Sequence, residues 1–135
     1  MNSPSTATGT SRTGIRTSLA PSAIGPYCQA ILVDNVLYCS GQIALDPGSG
    51  QLIQGGVDDE ADQVLRNLGA VLGAAGMTYD CVVKCSVFVT DMQDYALVNE
   101  VYARYFSEEP PARETVQVAA LPAGARVEIS CIAVR

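Results

Sequence analysis

The stretch from Cys81 to Val89 constrains the fold more than any other part of the sequence, because it carries apolar side chains on both faces of a predicted strand. Its alternating residues form two sets, one entirely apolar and one mixed: Cys81, Val83, Cys85, Val87 and Val89, and Val82, Lys84, Ser86 and Phe88. Such a strand is typical of a sheet that is covered on both sides. The rest of the chain must supply that cover.

Two amphipathic helices are predicted. Over Val57 to Ala75 the apolar residues recur with helical spacing, Asn67 falls on the polar side, and Gly76 follows as the expected cap. The acidic residues between 58 and 62 are interpreted as favourable charges at a helix start, and not as a metal site. The second helix begins near Asp91 or Asp94, and its predicted buried stripe is Tyr95, Val98, Val101, Tyr102 and Tyr105.

Two strands, Tyr27 to Val33 and Val36 to Ile43, precede the first helix and are joined by a tight turn. Gly41 near the end of the second strand indicates a bulge or a close approach of a ligand. The order β-β-α-β-α-β-β accounts for five strands, and we expect an α+β fold with a single mixed sheet of about six strands and two helices packed on one face. Two helices cannot cover both faces, so the second face is either solvated or buried by another subunit. A charged fraction of only 16% favours burial.

The C-terminal region predicts two further strands, one within Pro110 to Val118 and one within Ala125 to Val134. A hairpin about residues 122–124 would place Ala120 opposite Ala125 and would gather five polar side chains on one face: Arg113, Thr115, Gln117, Glu128 and Ser130. That face would suit a small anionic substrate, since arginine can pair with a carboxylate and glutamate can hold a water.

The same register separates Arg113 from Glu128 by four positions, or about 13 Å along the strands. Either the pairing differs, or the two residues meet across a subunit interface. The alternative is that Arg113 is a solvated strand-end residue and Glu128 an exposed strand residue, without a shared function.

Composition excludes several classes of function. The 135-residue chain has a net charge of −6, and its single lysine and seven arginines form no cluster, which argues against binding to nucleic acid or to a membrane surface. No apolar run approaches the roughly 18 residues that span a bilayer, so we expect a soluble protein. The five cysteines lack metal-site spacing and are expected to be reduced and buried. Because the chain has no histidine, any catalysis must rely on carboxylate, arginine, hydroxyl and backbone groups.

We expect residues 1–16 to form a flexible tail and residues 17–135 to form one domain. The tail contains arginine and serine but no acidic residue, so a transit peptide is one interpretation. The expected location is cytoplasmic, or mitochondrial if the tail is a transit peptide.

From about Ala20 to Val134 the chain resembles the Rid family, also called YjgF-like proteins, and most closely its RidA branch of 2-imino acid deaminases. The segments that carry the resemblance are Ala23-Ile24-Gly25-Pro26-Tyr27, Ser40-Gly41-Gln42-Ile43, Val87-Phe88-Val89, Val98-Asn99, Val101-Tyr102, Pro111-Ala112-Arg113, Leu121-Pro122 and Val127-Glu128-Ile129.

The resemblance implies a chorismate-mutase-like fold, a homotrimer with clefts at the subunit interfaces, and hydrolysis of 2-imino acids such as 2-aminoacrylate to 2-oxo acids without a metal or cofactor. It implies that Arg113 binds the substrate carboxylate and that Glu128 positions the water. Substrate-binding positions that also match are Ser40, Gly41, Tyr27, Asn99 and Tyr102, and Thr115 occupies a further substrate-binding position.

Two residues depart from the family pattern. Thr115 stands where many members carry cysteine, and Ser130 stands where many carry a second glutamate. We expect little effect of Thr115, which contributes mainly its backbone carbonyl, whereas loss of a carboxylate at Ser130 could shift the pKa of Glu128 or alter substrate preference. The competing class is a small-carboxylate-binding or chaperone-like interaction protein without catalysis.

Overall fold

The computed structural model describes residues 11–106 and 108–135, and this part of the chain forms a six-stranded sheet and two α-helices. The elements are β1 (Arg12–Ile15), β2 (Ala30–Val33), β3 (Val36–Gln42), α1 (Val57–Ala74), β4 (Val82–Val89), α2 (Tyr95–Tyr102), β5 (Ala112–Gln117) and β6 (Val127–Val134). The predicted α+β class, with two helices beside a mixed sheet, is confirmed. Neither helix is long and apolar enough to cross a membrane.

β4 lies inside the sheet, whose strand order is β1-β2-β3-β6-β4-β5. It pairs antiparallel with β6 on one side and parallel with β5 on the other. The predicted hairpin of β5 and β6 is therefore wrong. Period-2 alternation identifies the residues that share a face, but it does not identify the neighbouring strand. The apolar residues on both faces of β4 require a position inside the sheet.

The register of β4 places Arg113 and Glu128 on opposite faces of the sheet. Arg113 lies opposite Cys85, whereas Glu128 lies opposite Phe88. Directly paired residues point to the same face, and successive residues alternate. Cys85 is fully buried beneath the helices, so Arg113 and the residues at 115 and 117 lie on the helix-covered face. The predicted single polar face is wrong, because Glu128 and Ser130 lie on the helix-free face.

The core lies between the sheet and α1, which packs against β3 and β6. Its largest fully buried side chains in α1 include Val64, Leu65, Leu68, Val71 and Leu72. Asn67, which the sequence placed on the polar side, is also buried, and its Nδ2 donates hydrogen bonds to the carbonyls of Ile43 and Leu45 at 3.2 and 3.0 Å. Asn67 thus fixes the segment that follows β3 against α1.

Three of the five cysteines lie side by side on the buried face of adjacent strands. Cys131 of β6 is directly opposite Cys39 of β3 and Cys85 of β4. All five thiols are free, and burial raises the pKa of Cys85 to about 11. The buried three act as small apolar core residues, as the sequence predicts, while Cys28 and Cys81 are only partly buried.

A register shift near the start of β4 corrects the predicted faces of that strand. Between Val82 and Lys84 the pairing with β6 is irregular. As a result Val82 is buried, with Cys85, and Val83 is 48% exposed. The simple alternation predicted the reverse for the first residues of the strand.

The helix-free face of the sheet carries several apolar side chains that are exposed or only partly buried. Tyr38, Val116 and Val134 are 50%, 41% and 40% exposed, and Ile132 is half-buried beside Tyr38. No element of the described chain covers this face. The described residues therefore bury only one of the two faces of β4.

The N-terminal boundary differs from the prediction. Arg12–Ile15 forms β1, which pairs antiparallel with β2 and buries Ile15. The expected flexible tail is therefore wrong for residues 12–15, whose Arg-Thr-Gly composition carries no strand signal. The remainder of that prediction, for residues 1–10, lies outside the described residues.

An ion pair between a buried carboxylate and a partly exposed arginine fastens α1 to the beginning of β6. Glu60 is 1% exposed, and its carboxylate accepts hydrogen bonds from the backbone N–H of Arg126 at 2.9 Å and from Nε of Arg126 at 2.6 Å. Arg126 also donates to the carbonyl of Gly55. Glu60 is thus more than the favourable helix-start charge expected from the sequence.

Substitution of Arg126 by methionine should strongly destabilise the protein, because it leaves the Glu60 carboxylate buried without its cation. We expect the free energy of unfolding to fall by about 3 kcal/mol, measured by urea titration. Lys84→Met is the control, since its pair with Glu114 joins side chains that are 40% and 46% exposed and should matter far less. Equal effects of the two substitutions would contradict the importance of the Glu60–Arg126 ion pair.

Candidate functional site

The first half of the candidate site is the arginine cluster, formed by Arg113, Tyr95, Asn99 and Tyr102. Nη2 of Arg113 donates to Oδ1 of Asn99 at 2.8 Å and to the hydroxyl of Tyr95 at 3.2 Å. The guanidinium carbon lies 4.7 Å from the ring centroid of Tyr102 and 5.7 Å from that of Tyr95. All four residues come from β5 and α2, which hold the guanidinium by neutral groups.

The arginine cluster is electrostatically prepared for an anion. Its hydrogen-bond acceptors are an amide and a phenol, and no carboxylate of the described residues forms a salt bridge with Arg113. Asn99 and then the positive charge of Arg113 lower the pKa of Tyr95. Burial raises the pKa of Tyr102, which keeps that ring neutral beneath the guanidinium.

Thr115 lies two residues beyond Arg113 on the same face, opposite Val87. Its Oγ1 is buried and has no hydrogen-bond partner among the described residues, and the same holds for the hydroxyl of Tyr102. Buried hydroxyls without partners are uncommon in folded proteins. Thr115 thus lies beside the arginine cluster, and its role as a site residue stays a prediction.

The second half is the glutamate pocket, a small cavity of about 70 Å³ on the other side of the molecule. Glu128, Gly41 and Tyr27 line it together with residues of the segments 21–24 and 42–45 and with Pro122. A Cβ at Gly41 would lie 2.5 Å from Oε2 of Glu128 and 2.8 Å from its carboxyl carbon. The predicted bulge is present, because the pairing of β3 with β6 shifts between Cys39 and Gln42.

Glu128 is the titratable group of this pocket. It is half-buried, and burial raises the pKa of its carboxyl above the ordinary glutamate value. Glu128 makes no salt bridge within the described chain. A carboxylate with a raised pKa and free oxygens is suited to accept a proton from water near neutral pH.

Tyr27 lines the pocket, whereas Ser40 precedes Gly41 in the chain and does not line it. The hydroxyl of Ser40 donates to the carbonyl of Cys28 at 2.6 Å, and the hydroxyl of Tyr27 accepts from the N–H of Ile24 at 3.3 Å. The hydrogen of Ser40 is thus engaged by backbone, and only its lone pairs remain for a ligand. Tyr27 is 48% exposed, so its ring forms the outer wall.

Gln29 holds one wall of the glutamate pocket and was not predicted as a functional residue. Its Nε2 donates to the carbonyls of Thr17, Ala20 and Pro21 at 3.1, 3.3 and 2.6 Å, and its Oε1 accepts from the N–H of Thr17 at 2.7 Å. One buried amide therefore fixes the segment 17–21, which leads into the pocket wall.

The two halves cannot serve one substrate within a single chain. Along β4 their partners Cys85 and Phe88 are three positions apart, or about 10 Å, and β5 and β6 lie on either side of β4. The halves also face opposite sides of the sheet. The sequence offered two explanations for the predicted separation, a different pairing or a shared interface. The pairing does differ, and the separation remains.

Tyr95 is the functional residue that the sequence analysis misassigned. It was placed on the buried stripe of α2, yet it is 40% exposed and contacts Arg113. The available signal was its spacing of four residues from Asn99, since residues i and i+4 share a helix face. In residues 11–106 and 108–135, no group of three or more His, Cys, Asp or Glu side chains could hold a metal ion.

Comparison with known proteins places this geometry in context. A family profile described as endoribonuclease L-PSP matches residues 17–135. The 2-iminobutanoate/2-iminopropanoate deaminase of Mus musculus is 56% identical over 121 residues, which cover 90% of this chain and 90% of the mouse protein.

Two solved structures share the fold. RidA from the Antarctic bacterium Psychrobacter sp. PAMC 21119 superposes with a TM-score of 0.88 at 45% identity, covering 91% of this chain and 99% of that one. E. coli TdcF with bound serine has a TM-score of 0.87 at 41% identity, covering 91% of this chain and 98% of that one.

Substitution of Gly41 by alanine should displace the carboxyl group of Glu128 while leaving the fold intact, because a flexible side chain can move where a new Cβ intrudes. Exposure of the displaced carboxyl should bring its pKa back toward the ordinary value, as followed by carbon NMR titration. Gly73→Ala is the matched control, since a Cβ there meets nothing within 4 Å. An unchanged Glu128 titration in Gly41→Ala would refute the close packing of the two residues.

Proposed function

The chain belongs to the endoribonuclease L-PSP family, which is the Rid family that its motifs resemble, and from this membership we propose that it deaminates 2-imino acids by hydrolysis. The products are a 2-oxo acid and ammonia. The observation that carries the proposal is that the chain presents both an arginine without a carboxylate partner and a half-buried glutamate whose pKa is raised. The identity with named deaminases supports the same substrate class.

The chemistry requires little of the protein. The C2 atom of a 2-imino acid is electrophilic, and water adds to it when a base takes one water proton. In our proposal Glu128 takes that proton, the water oxygen bonds to C2, and the C=N double bond becomes a single bond. The carboxyl group of Glu128 returns this proton to nitrogen, which gives a carbinolamine with a hydroxyl and an NH2 group on C2. Glu128 then takes the hydroxyl proton and passes it to nitrogen, the C–N bond breaks, and ammonia leaves as the C2 carbonyl forms.

Arg113 would hold the carboxylate of the substrate. A guanidinium recognises a carboxylate by two parallel hydrogen bonds, and Asn99 and Tyr102 fix the plane in which those bonds form. The related TdcF structure contains bound serine, which also carries a carboxylate next to a nitrogen-bearing carbon. Positioning by Arg113 would bring C2 to the water held at Glu128.

The separation of the two halves leads to the proposed assembly. We infer a homotrimer in which the arginine cluster of one copy meets the glutamate pocket of the next. The apolar helix-free face supports this arrangement, because it is the surface that β4 requires to be covered. The binding-protein alternative would use the same groups for a carboxylate without turnover, and kinetics separates the two.

Glu128→Gln should lower the rate of imine hydrolysis by at least about 10²-fold, since the amide cannot accept the water proton. Binding of the unreactive 2-oxobutyrate, measured by calorimetry, should stay near normal because Arg113 is untouched. The wild-type rate should rise with pH through the raised pKa of Glu128, as that carboxyl becomes ionised, and the variant should lose this ionisation.

Arg113→Lys serves as the complementary variant, because a point charge cannot replace the planar fork. It should weaken 2-oxobutyrate binding and remain folded by circular dichroism. Normal ammonia release in Glu128→Gln would refute the general-base role. Binding of 2-oxobutyrate without turnover in the wild type would favour the binding-protein alternative.

A mixture of the two variants tests the shared cleft. Arg113→Lys and Glu128→Gln chains, unfolded and refolded together, should recover about a quarter of the wild-type activity, because a random trimer pairs an intact arginine with an intact glutamate at that frequency. Each variant refolded alone should recover none. A cleft built within one chain predicts no recovery in the mixture.

Sedimentation equilibrium tests the trimer directly. Ile132→Asp puts a charge on the helix-free face and should yield monomers, whereas Leu97→Asp, at a 46% exposed position of α2, should remain trimeric. A monomeric wild type at micromolar concentration would exclude the proposed assembly.

A further inference from the structure

The hydrogen bonds of Arg113 limit how a carboxylate can reach it. Nη2 carries two hydrogens, and it donates to two acceptors of the protein, Oδ1 of Asn99 and the hydroxyl of Tyr95. Both hydrogens of this nitrogen are therefore engaged. Nη1 and Nε have no hydrogen-bond partner among the described residues.

Nη2 belongs to both carboxylate-binding edges of the guanidinium. A carboxylate that binds by two parallel hydrogen bonds uses either Nη2 with Nη1 at the end of the group, or Nη2 with Nε at its side. Each edge includes one hydrogen of Nη2. A bidentate carboxylate must therefore displace one of the two acceptors that Nη2 now has.

The hydroxyl of Tyr95 is the acceptor that can leave. Its bond to Nη2 is 3.2 Å long and solvent-exposed, whereas that of Asn99 is 2.8 Å long and partly buried. Tyr95 is 40% exposed at the start of α2, so its hydroxyl can exchange Arg113 for water at small cost. Displacement of Asn99 from Nη2 would instead break the shorter and more buried of the two hydrogen bonds.

We propose that the hydroxyl of Tyr95 occupies the place of one substrate carboxylate oxygen and competes with the substrate for Arg113. Tyr95 thereby sets the affinity of the site for 2-imino and 2-oxo acids, and it does not take part in the reaction at C2. This inference rests on the proposed function, in which Arg113 binds the substrate carboxylate. Tyr95 is a positioning residue, because it acts through Arg113.

The test is a double-mutant cycle with Tyr95→Phe, Arg113→Lys and the combined variant. By calorimetry, Tyr95→Phe should bind 2-oxobutyrate about 2- to 10-fold more tightly than the wild type, the size expected for one exposed hydrogen bond. KM for imine hydrolysis should fall by a similar factor with kcat unchanged. In the Arg113→Lys background the tyrosine substitution should have no effect, because lysine has no fork to be blocked.

Tyr105→Phe is the matched control. It removes a tyrosine hydroxyl that contacts Asp62 and not Arg113, and it should leave the affinity unchanged. If Arg113→Lys weakens binding while Tyr95→Phe leaves it unchanged, the competition is refuted and the proposed role of Arg113 stands. Weaker binding by Tyr95→Phe would refute it too, since the hydroxyl would then be a ligand of the substrate. If Arg113→Lys leaves binding unchanged, both proposals fail.

Discussion

The pairing of β4 with β5 on one side and β6 on the other determines where the functional groups lie. β4 separates the strand that carries Arg113 from the strand that carries Glu128. The partners of these two residues on β4 are three positions apart, so Arg113 and Glu128 point to opposite faces of the sheet. A hairpin between β5 and β6 would have gathered the polar residues of one chain on one surface. The internal position of β4, which its apolar character requires, forbids this and places the two groups on different surfaces of one copy.

The two half-sites are complementary in charge, and each lacks its counterion. Arg113 is held by an amide, a phenol and an aromatic face, and Glu128 stands half-buried without a cation. Elsewhere the chain neutralises its buried charge, as Glu60 and Arg126 show. A small zwitterionic or anionic molecule that touches both halves would therefore gain interactions that the protein does not make with itself.

Much of this arrangement could be predicted from the sequence, and the failures have definable causes. The period of 3.6 residues located both helices, and alternation located β3, β4 and β6. Alternation does not encode strand neighbours, so the hairpin was wrong, and Arg12–Ile15 is only four residues long and contains a glycine, a residue that is depleted in strands. The family motifs named Arg113, Asn99, Tyr102, Gly41 and Glu128, and the structure assigns these to two groups. Tyr95 was missed because an aromatic residue on an amphipathic helix is more often part of the core.

The contact between Gly41 and Glu128 makes the two positions share one volume. A Cβ on β3 and the glutamate side chain on β6 in its present conformation cannot both fit, so growth at position 41 has to be matched by displacement of the Glu128 carboxyl group or by a shorter acid. Two changes that are each harmful alone, Gly41→Ala and Glu128→Asp, would then be tolerated together. In this fold the residue at position 41 of β3 would therefore limit the length of the acidic side chain at position 128 of β6. That length sets how far the carboxylate reaches into the pocket.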